Sequence, residues 1–275
     1  MTNYFGKNNL KAIILAAGEG KRLRPLTDDR PKAMVKLFGM SLLERQINTF
    51  RECGIEDIIV VTGYKDETID FTNIKKYKNF DYASTNMVET LFCAENEMDE
   101  QIIISYGDII FEKKVLTSLI NSDEDYSVVI DKNWRKYWES RFEEPLVDAE
   151  SLRLDSMNNI IEIGQTAKNI DDIQGQYIGL MKFQGSALKF LRNFYQKTKE
   201  NAKKSGENPL NPNIDYEKSY MTDFIQGLIN AGCKIKAISI NNGWLELDNN
   251  DDYRIYNEMH KDGKLSEFIE LENKN

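Results

Sequence analysis

The chain has 275 residues, enough for one large α/β domain or a core domain with an inserted subdomain. Its net charge of −9 argues against a broad nucleic-acid surface, where lysines and arginines must replace counterions. One histidine, His260, and three widely spaced cysteines, Cys53, Cys93 and Cys233, give little support to Ser-His-Asp, Cys-His, zinc or disulfide chemistry. Carboxylates, lysines and a metal must therefore carry any catalysis. No segment is long and apolar enough to span a bilayer, and residues 1–10 (MTNYFGKNNL) lack the apolar run of a secretion signal. A cytoplasmic protein that touches neither membrane nor nucleic acid is expected.

In chain order, Lys11 to Ala17 is a short apolar run ending at Gly18, which predicts a buried parallel strand. Ser41-Leu42-Leu43-Glu44 reads as a capping box, opening a helix that runs to Cys53 and stops at Gly54. Ile58 to Val61 is a second strand, Asn86 to Met98 has a helical pattern, and Gln101 to Tyr106 is a buried strand ending at Gly107-Asp108. This alternation implies right-handed βαβ units, whose ligands collect beyond the carboxyl ends of the strands. After residue 126 strand-like pieces (Tyr126–Asp131, Asn159–Ile163, Tyr177–Phe183) alternate with aromatic-rich stretches. Helical patterns follow at Ser186–Lys203 and Tyr220–Ala231, then a strand at Lys234–Ile240 and a helical tail after Asp251. No repeat or long linker divides the chain, so a single domain over 1–275 is expected.

The chemistry-bearing residues fall at the strand ends. Leu15-Ala16-Ala17-Gly18-Glu19-Gly20-Lys21-Arg22-Leu23 puts two glycines and two cations directly after a strand, where backbone N–H groups can approach phosphate oxygens. It is neither a Walker loop, because Arg22 stands where Ser or Thr is needed, nor a dinucleotide fingerprint, because Leu23 is not small. On those residues alone, a plain structural turn explains the segment as well. Asp108 follows a buried strand, and in Trp244-Leu245-Glu246-Leu247-Asp248 the two acids share one side of an extended chain. Carboxylates from separate segments are what Mg²⁺ held against phosphates requires.

The run Gly18 to Thr27 followed by Pro31-Lys32-Ala33-Met34-Val35 resembles the signature of nucleotidyltransferases of the sugar-1-phosphate and phosphocholine cytidylyltransferase type. The resemblance implies an α/β fold: a Rossmann-like mixed, mainly parallel sheet flanked by helices, with an elaborated acceptor-binding second half. It implies that the glycine loop wraps a nucleoside triphosphate, that Lys32 and Arg22 neutralise its phosphates, and that Asp108, Glu246 and Asp248 hold Mg²⁺. Residues 10–125 would then bind the nucleotide, 126–240 the acceptor, and 241–275 would supply the metal-ligand strand end and C-terminal helices. The reaction would join a nucleoside monophosphate to a small phosphorylated metabolite and release pyrophosphate.

Ser84-Thr85-Asn86 opens a segment similar to that of CTP-using members, which favours CTP over UTP or dTTP, although Asn86 equally suits a helix N-cap. On a helix Trp134, Tyr137, Trp138 and Arg141 share a face. That face is either core packing or, with Arg135 beside it, an acceptor pocket for an acid-bearing group such as an amino-acid phosphate. Segments around Tyr177 and Asp223 resemble the branch acting on aminoethylphosphonate and phosphoglutamine. Asp223 would hold an acceptor amine or simply cap its helix. That branch supplies building blocks for bacterial capsule or surface-glycan decoration. The rival readings are a sugar-1-phosphate uridylyl- or thymidylyltransferase, a phosphocholine or 2-aminoethylphosphonate cytidylyltransferase, and a non-catalytic nucleotide sensor.

Overall fold

A computed structural model describes residues 9–271. The expected lack of a signal segment falls, for residues 1–8, outside the described residues, as does the end of the tail, 272–275.

The first half is built as the apolar runs demand. β1 (Leu10–Ala16) alternates between two cores: Ala12, Ile14 and Ala16 face one side of the sheet, Ile13 and Leu15 the other. A small hairpin of β2 (Lys36–Leu37) and β3 (Met40–Ser41) leads into α1 (Leu42–Glu52). The Ser41 side chain caps that helix by accepting from the Glu44 N–H at 3.1 Å, and Gly54 follows its end with φ 83°. Next come β4 (Asp57–Thr62), β5 (Lys75–Lys78) and α2 (Met87–Phe92). The helical pattern over 86–98 is only half used. A tight turn at Glu95–Glu97 follows α2 and aims Glu97 at Lys11, Lys75 and Tyr77. β6 (Gln101–Tyr106) then turns through Gly107-Asp108 into the three-residue β7 (Ile109–Phe111) and α3 (Lys113–Ile120).

In the second half come β8 (Tyr126–Asp131), α4 (Trp134–Arg141), β9 (Glu150–Leu154), β10 (Asn159–Thr166) and β11 (Gln176–Gln184). The chain then runs through α5 (Ser186–Ser205), α6 (Met221–Asn230), β12 (Ile235–Ile240), β13 (Trp244–Glu246) and α7 (Asn250–Lys261). Both halves share one nine-stranded sheet in the order β5-β4-β1-β6-β11-β8-β12-β10-β9. Its strands run in one direction except β11 and β10, so the sheet is mixed and mostly parallel, as expected. The outer strands β5 and β9 had no apolar signature: β5 is lysine-rich, which discourages pairing at a sheet edge. Helices α1, α3, α4 and α7 cover one face and α2, α5 and α6 the other. Among the described residues no helix is long and apolar enough to cross a membrane.

A two-stranded ribbon of β7 and β13 stands apart from the main sheet and pairs Ile109 with Glu246, Ile110 with Leu245 and Phe111 with Trp244. Asp131, fully buried at the end of β8, anchors it. Its carboxylate accepts from the Asn133 and Asn242 N–H groups and from Trp244 Nε1, at 2.8, 3.1 and 2.9 Å. We expect Asp131→Ala to strand these donors and lower unfolding free energy by roughly 2–4 kcal/mol, read as a drop in urea midpoint.

Candidate active site

The loop after β1 is shaped by Gly20 and Leu23. Gly20 adopts φ 68°, and a Cβ there would stand 2.8 Å from the Lys32 Cβ, so the absent side chain makes room for the lysine to cross the loop. Thr27 Oγ1 donates to the Gly20 carbonyl at 2.9 Å, the Lys32 N–H donates to the Gly18 carbonyl at 3.3 Å, and Leu23 is buried beneath. Lys21, Arg22 and Arg24 are left exposed above it. Lys21 and Arg24 both lie near the Glu19 carboxylate, at 3.6 and 3.5 Å.

Lys32 is where the two acidic segments meet. Its Nζ donates to Asp108 Oδ2 and Asp248 Oδ1, each at 2.8 Å, while Arg22 Nη2 reaches Asp248 Oδ1 at 2.6 Å. The ribbon explains the convergence: Ile109 pairs with Glu246, and the Leu247 N–H donates to the Asp108 carbonyl at 2.9 Å. Oxygens of Asp108, Glu246 and Asp248 consequently lie within 4.8 Å of one another. Burial disfavours the Lys32 charge, but Asp108 and Asp248 overcome it and hold the ammonium well above its ordinary pKa. Burial likewise opposes the Asp248 charge, yet Lys32 and Arg22 keep its carboxyl below the usual range. Glu246 goes the other way: burial raises its carboxyl against the pull of Arg141, and Asp108 and Asp248 add to the rise. The second oxygen of Asp108, Oδ1, is buried without a hydrogen-bond partner. Three convergent carboxylates with one oxygen unpartnered form a donor set that suits a hard divalent cation.

Beside this cluster Leu15, Ala16, Ala17, Gly18, Lys32, Ala33, Thr85, Asn86, Tyr106 and Asp108 line one cleft, closed by Tyr82, Met87 and Thr90. Asn86 is the N-cap of α2, its side chain accepting from the Met87 N–H at 2.9 Å, and it lines the cleft. Asn79 braces that wall by donating to Thr85 Oγ1 and Thr90 Oγ1 at 2.9 and 3.0 Å. Ser84 lies instead in an exposed turn, donating to the Asp81 carbonyl. A glycine loop, a lysine and a carboxylate cluster around one cleft form a phosphate-handling arrangement.

Residues 12–172 match the model of the MobA-like NTP transferase domain. The chain belongs to that family. It is a nucleotidyltransferase. It is 38% identical over 251 residues to the CTP:phosphoglutamine cytidylyltransferase of Campylobacter jejuni, covering 87% of this chain and 96% of that one. Two solved structures share its fold, each at 22% identity and a TM-score of 0.68. The CTP:phosphocholine cytidylyltransferase of Streptococcus pneumoniae covers 92% of this chain and is itself covered over 99%. The inositol-1-phosphate CTP transferase of T. maritima covers 95% of it and is covered over 98%.

The aromatic helix of this transferase follows the core-packing alternative of the sequence reading. Trp134, Tyr137 and Trp138 turn into the core, with the Tyr137 ring edge-on to Trp138 and Trp244 at 5.4 and 5.3 Å between centroids. They form no acceptor pocket. Arg135 projects from the outer side of α4 and pairs with Glu139 at 2.8 Å. The Arg141 side chain is wholly buried behind the carboxylates. Its guanidinium donates to Asp252 through Nε and Nη2 at 2.9 and 3.0 Å, and to Glu246 through Nη1 at 3.1 Å. Asp252 in turn accepts from the Asp248 N–H at 2.9 Å, so this pair props both acids of the β13 segment from behind. Asp252 was not singled out from the sequence. Its signal was the Asn249-x-x-Asp252 capping box directly after Asp248.

Tyr177 and Asp223 lie elsewhere. Tyr177 stacks edge-on against Tyr106 with centroids 5.6 Å apart, and Gly179, at φ 81°, leaves the backbone bare where a Cβ would come within 2.6 Å of the Tyr106 ring. Asp223 closes a capping box at the start of α6 by accepting from the Tyr220 N–H at 2.8 Å, and also accepts from Asn211 Nδ2 at 2.9 Å.

Arg141→Met leaves Asp252 and Glu246 without their buried cation, and we expect it to cost about 3–5 kcal/mol in urea unfolding. Arg135→Ala, which removes an exposed pair, should change stability by less than about 0.5 kcal/mol.

Proposed function

We propose that this nucleotidyltransferase is a cytidylyltransferase: it joins CMP from CTP to a small phosphorylated acceptor, best matched by L-glutamine phosphate, and releases pyrophosphate. The observation that carries the reading is Lys32 bridging Asp108 and Asp248 at the mouth of the cleft, in a chain alike along nearly its whole length to a phosphoglutamine cytidylyltransferase. The division of labour is residues 10–125 for the nucleotide, 126–240 for the acceptor, and the segment from 241 for the metal ligands. We place the reaction in the cytoplasm, with the product used for capsule or surface-glycan decoration.

Asp108, Glu246 and Asp248 are the residues that would hold Mg²⁺, and the unpartnered Asp108 Oδ1 supports that assignment. Bound there, the ion supplies a Lewis acid that draws charge from phosphate oxygens. The acceptor's phosphate is already ionised at neutral pH, so no strong base is required. One of its oxygens forms a bond to the α-phosphorus while the bond to the bridging oxygen of the β-phosphate breaks, and that oxygen leaves with pyrophosphate. Lys32 and Arg22 present positive charge to the phosphates, and the N–H groups of the 17–21 loop cradle them. Thr85 and Asn86 offer small polar groups to a pyrimidine edge.

With the aromatic face of α4 turned inward, the acceptor belongs on the Tyr106–Tyr177 side of the cleft. Glu150 stands near these rings, and surrounding protein together with Asp223 and Asp148 raises its carboxyl above the usual range. An acidic wall of this kind suits an acceptor with an amine, such as an amino-acid phosphate.

Pyrophosphate release measured for CTP, UTP, dTTP and ATP against L-glutamine phosphate, phosphocholine, 2-aminoethylphosphonate and hexose 1-phosphates tests the proposal. The expected result is turnover with CTP and L-glutamine phosphate, lost on chelation and restored by Mg²⁺. Lys32→Ala and Asp108→Ala should each lower kcat by about 100-fold or more with unchanged circular dichroism. Turnover confined to UTP or dTTP with a hexose phosphate would sink the cytidylyl assignment, and near-normal rates in both variants would point to a nucleotide sensor.

A further inference from the structure

Gln46 breaks the pattern of its own helix. It lies among Leu42, Leu43, Ile47 and Phe50 on the buried stripe of α1, is 1% exposed, and yet carries a carboxamide. A buried amide must find partners for two N–H groups, and its oxygen accepts as well. Gln46 finds them at one place. Nε2 donates to the carbonyls of Tyr106 and Ile109, both at 2.8 Å, and Oε1 accepts from Ser105 Oγ at 2.7 Å. These residues bracket the Gly107-Asp108 turn on both sides.

We propose that Gln46 is a positioning residue for Asp108, fixing the turn so that its carboxylate meets Glu246 and Asp248 at the separation a divalent cation needs. The other contacts hold single residues of the turn, and Lys32 Nζ donates to Asp108 Oδ2 at 2.8 Å. Gly107 donates to the Leu15 carbonyl at 2.9 Å and packs so closely that a Cβ would stand 2.6 Å from that oxygen; the Asp108 carbonyl accepts from Leu247. These contacts reach only Gly107 and Asp108 themselves. Among the described residues, Gln46 is the side chain that bridges both ends, Tyr106 and Ile109, from a helix in another layer. A side chain with one donor could fix one end only, and an apolar residue of equal volume would take the Gln46 donor from the Ile109 carbonyl and leave the Tyr106 carbonyl with Ser105 Oγ at 3.2 Å, freeing the turn to shift. Partners behind a metal ligand typically change metal affinity by about 10–100-fold when lost.

The inference rests on the proposed metal site, so its test reads the metal directly. The full chain with saturating CTP is titrated with Mn²⁺, and free Mn²⁺ is followed by electron paramagnetic resonance. Gln46→Met keeps the volume and loses the hydrogen bonds; we expect its Mn²⁺ Kd to rise about tenfold, with the Kd for metal-free CTP within about twofold of wild type. Ser105→Ala removes only the hydroxyl that orients the carboxamide and should shift the Mn²⁺ Kd in the same direction by about threefold, a second reading if Gln46→Met folds poorly. Ser41→Ala weakens the same helix by uncapping it and should leave the Mn²⁺ Kd unchanged, which separates positioning from loss of stability. Wild-type Mn²⁺ affinity in both Gln46→Met and Ser105→Ala overturns the inference alone. A wild-type chain that binds no Mn²⁺, with Asp108→Ala indistinguishable from it, overturns the metal reading and this inference together.

Discussion

The arrangement of this molecule depends on holding three carboxylates together. Asp108, Glu246 and Asp248 bring oxygens within 4.8 Å of one another. At the effective dielectric of a protein surface, two unit charges at that distance repel by roughly 3 kcal/mol. The fold answers with cations on two sides. Lys32 and Arg22 reach in from the loop after β1, and Arg141 supports the cluster from a buried position beneath α4. Glu246, between opposed influences, has its carboxyl raised, whereas Asp248, closest to Lys32 and Arg22, has its own lowered. A divalent cation held among these acids would add positive charge beside Glu246.

What brings these acids together is the β7–β13 ribbon, and that was the least legible element in the sequence. Three-residue strands carry no periodicity, and nothing local in Ile109-Ile110-Phe111 announces a partner in Trp244-Leu245-Glu246. By contrast, β1, β6 and β8 were legible because strands buried on both faces read as continuous apolar runs, and the Ser41 cap and Gly54 stop of α1 were legible because local chemistry dictates them. The lysine-rich β5 was missed for the opposite reason: an edge strand protects itself by not looking like a strand.

The reading of α4 fixed its periodicity and left its direction open. Trp134, Tyr137, Trp138 and Arg141 do share a face, but aromatic rings beside an arginine look alike whether they line a pocket or close a core. Arg141 points inward because Asp252, in the first turn of α7, supplies a buried bidentate partner. Gln46 carried the complementary signal, since a polar residue on an otherwise apolar helical stripe requires specific partners, and these turned out to be the backbone around Asp108.

The same sheet also ties the two halves of the chain together. β11 inserts antiparallel between β6 and β8, so the strand that ends at Tyr106 is hydrogen-bonded to the one that starts near Tyr177. Gly179 then strips the backbone of β11 where the Tyr106 ring needs to lie, and the two rings meet edge to face at the seam. A transfer between two bound phosphates needs them aligned within a fraction of an ångström. Because β6 leads into Asp108 and is laddered directly to β11, strand register fixes where Asp108 sits relative to β11. The carboxylate cluster beyond that strand end is braced in turn by the β7–β13 ribbon, by Arg141 and by the backbone bonds of Gln46.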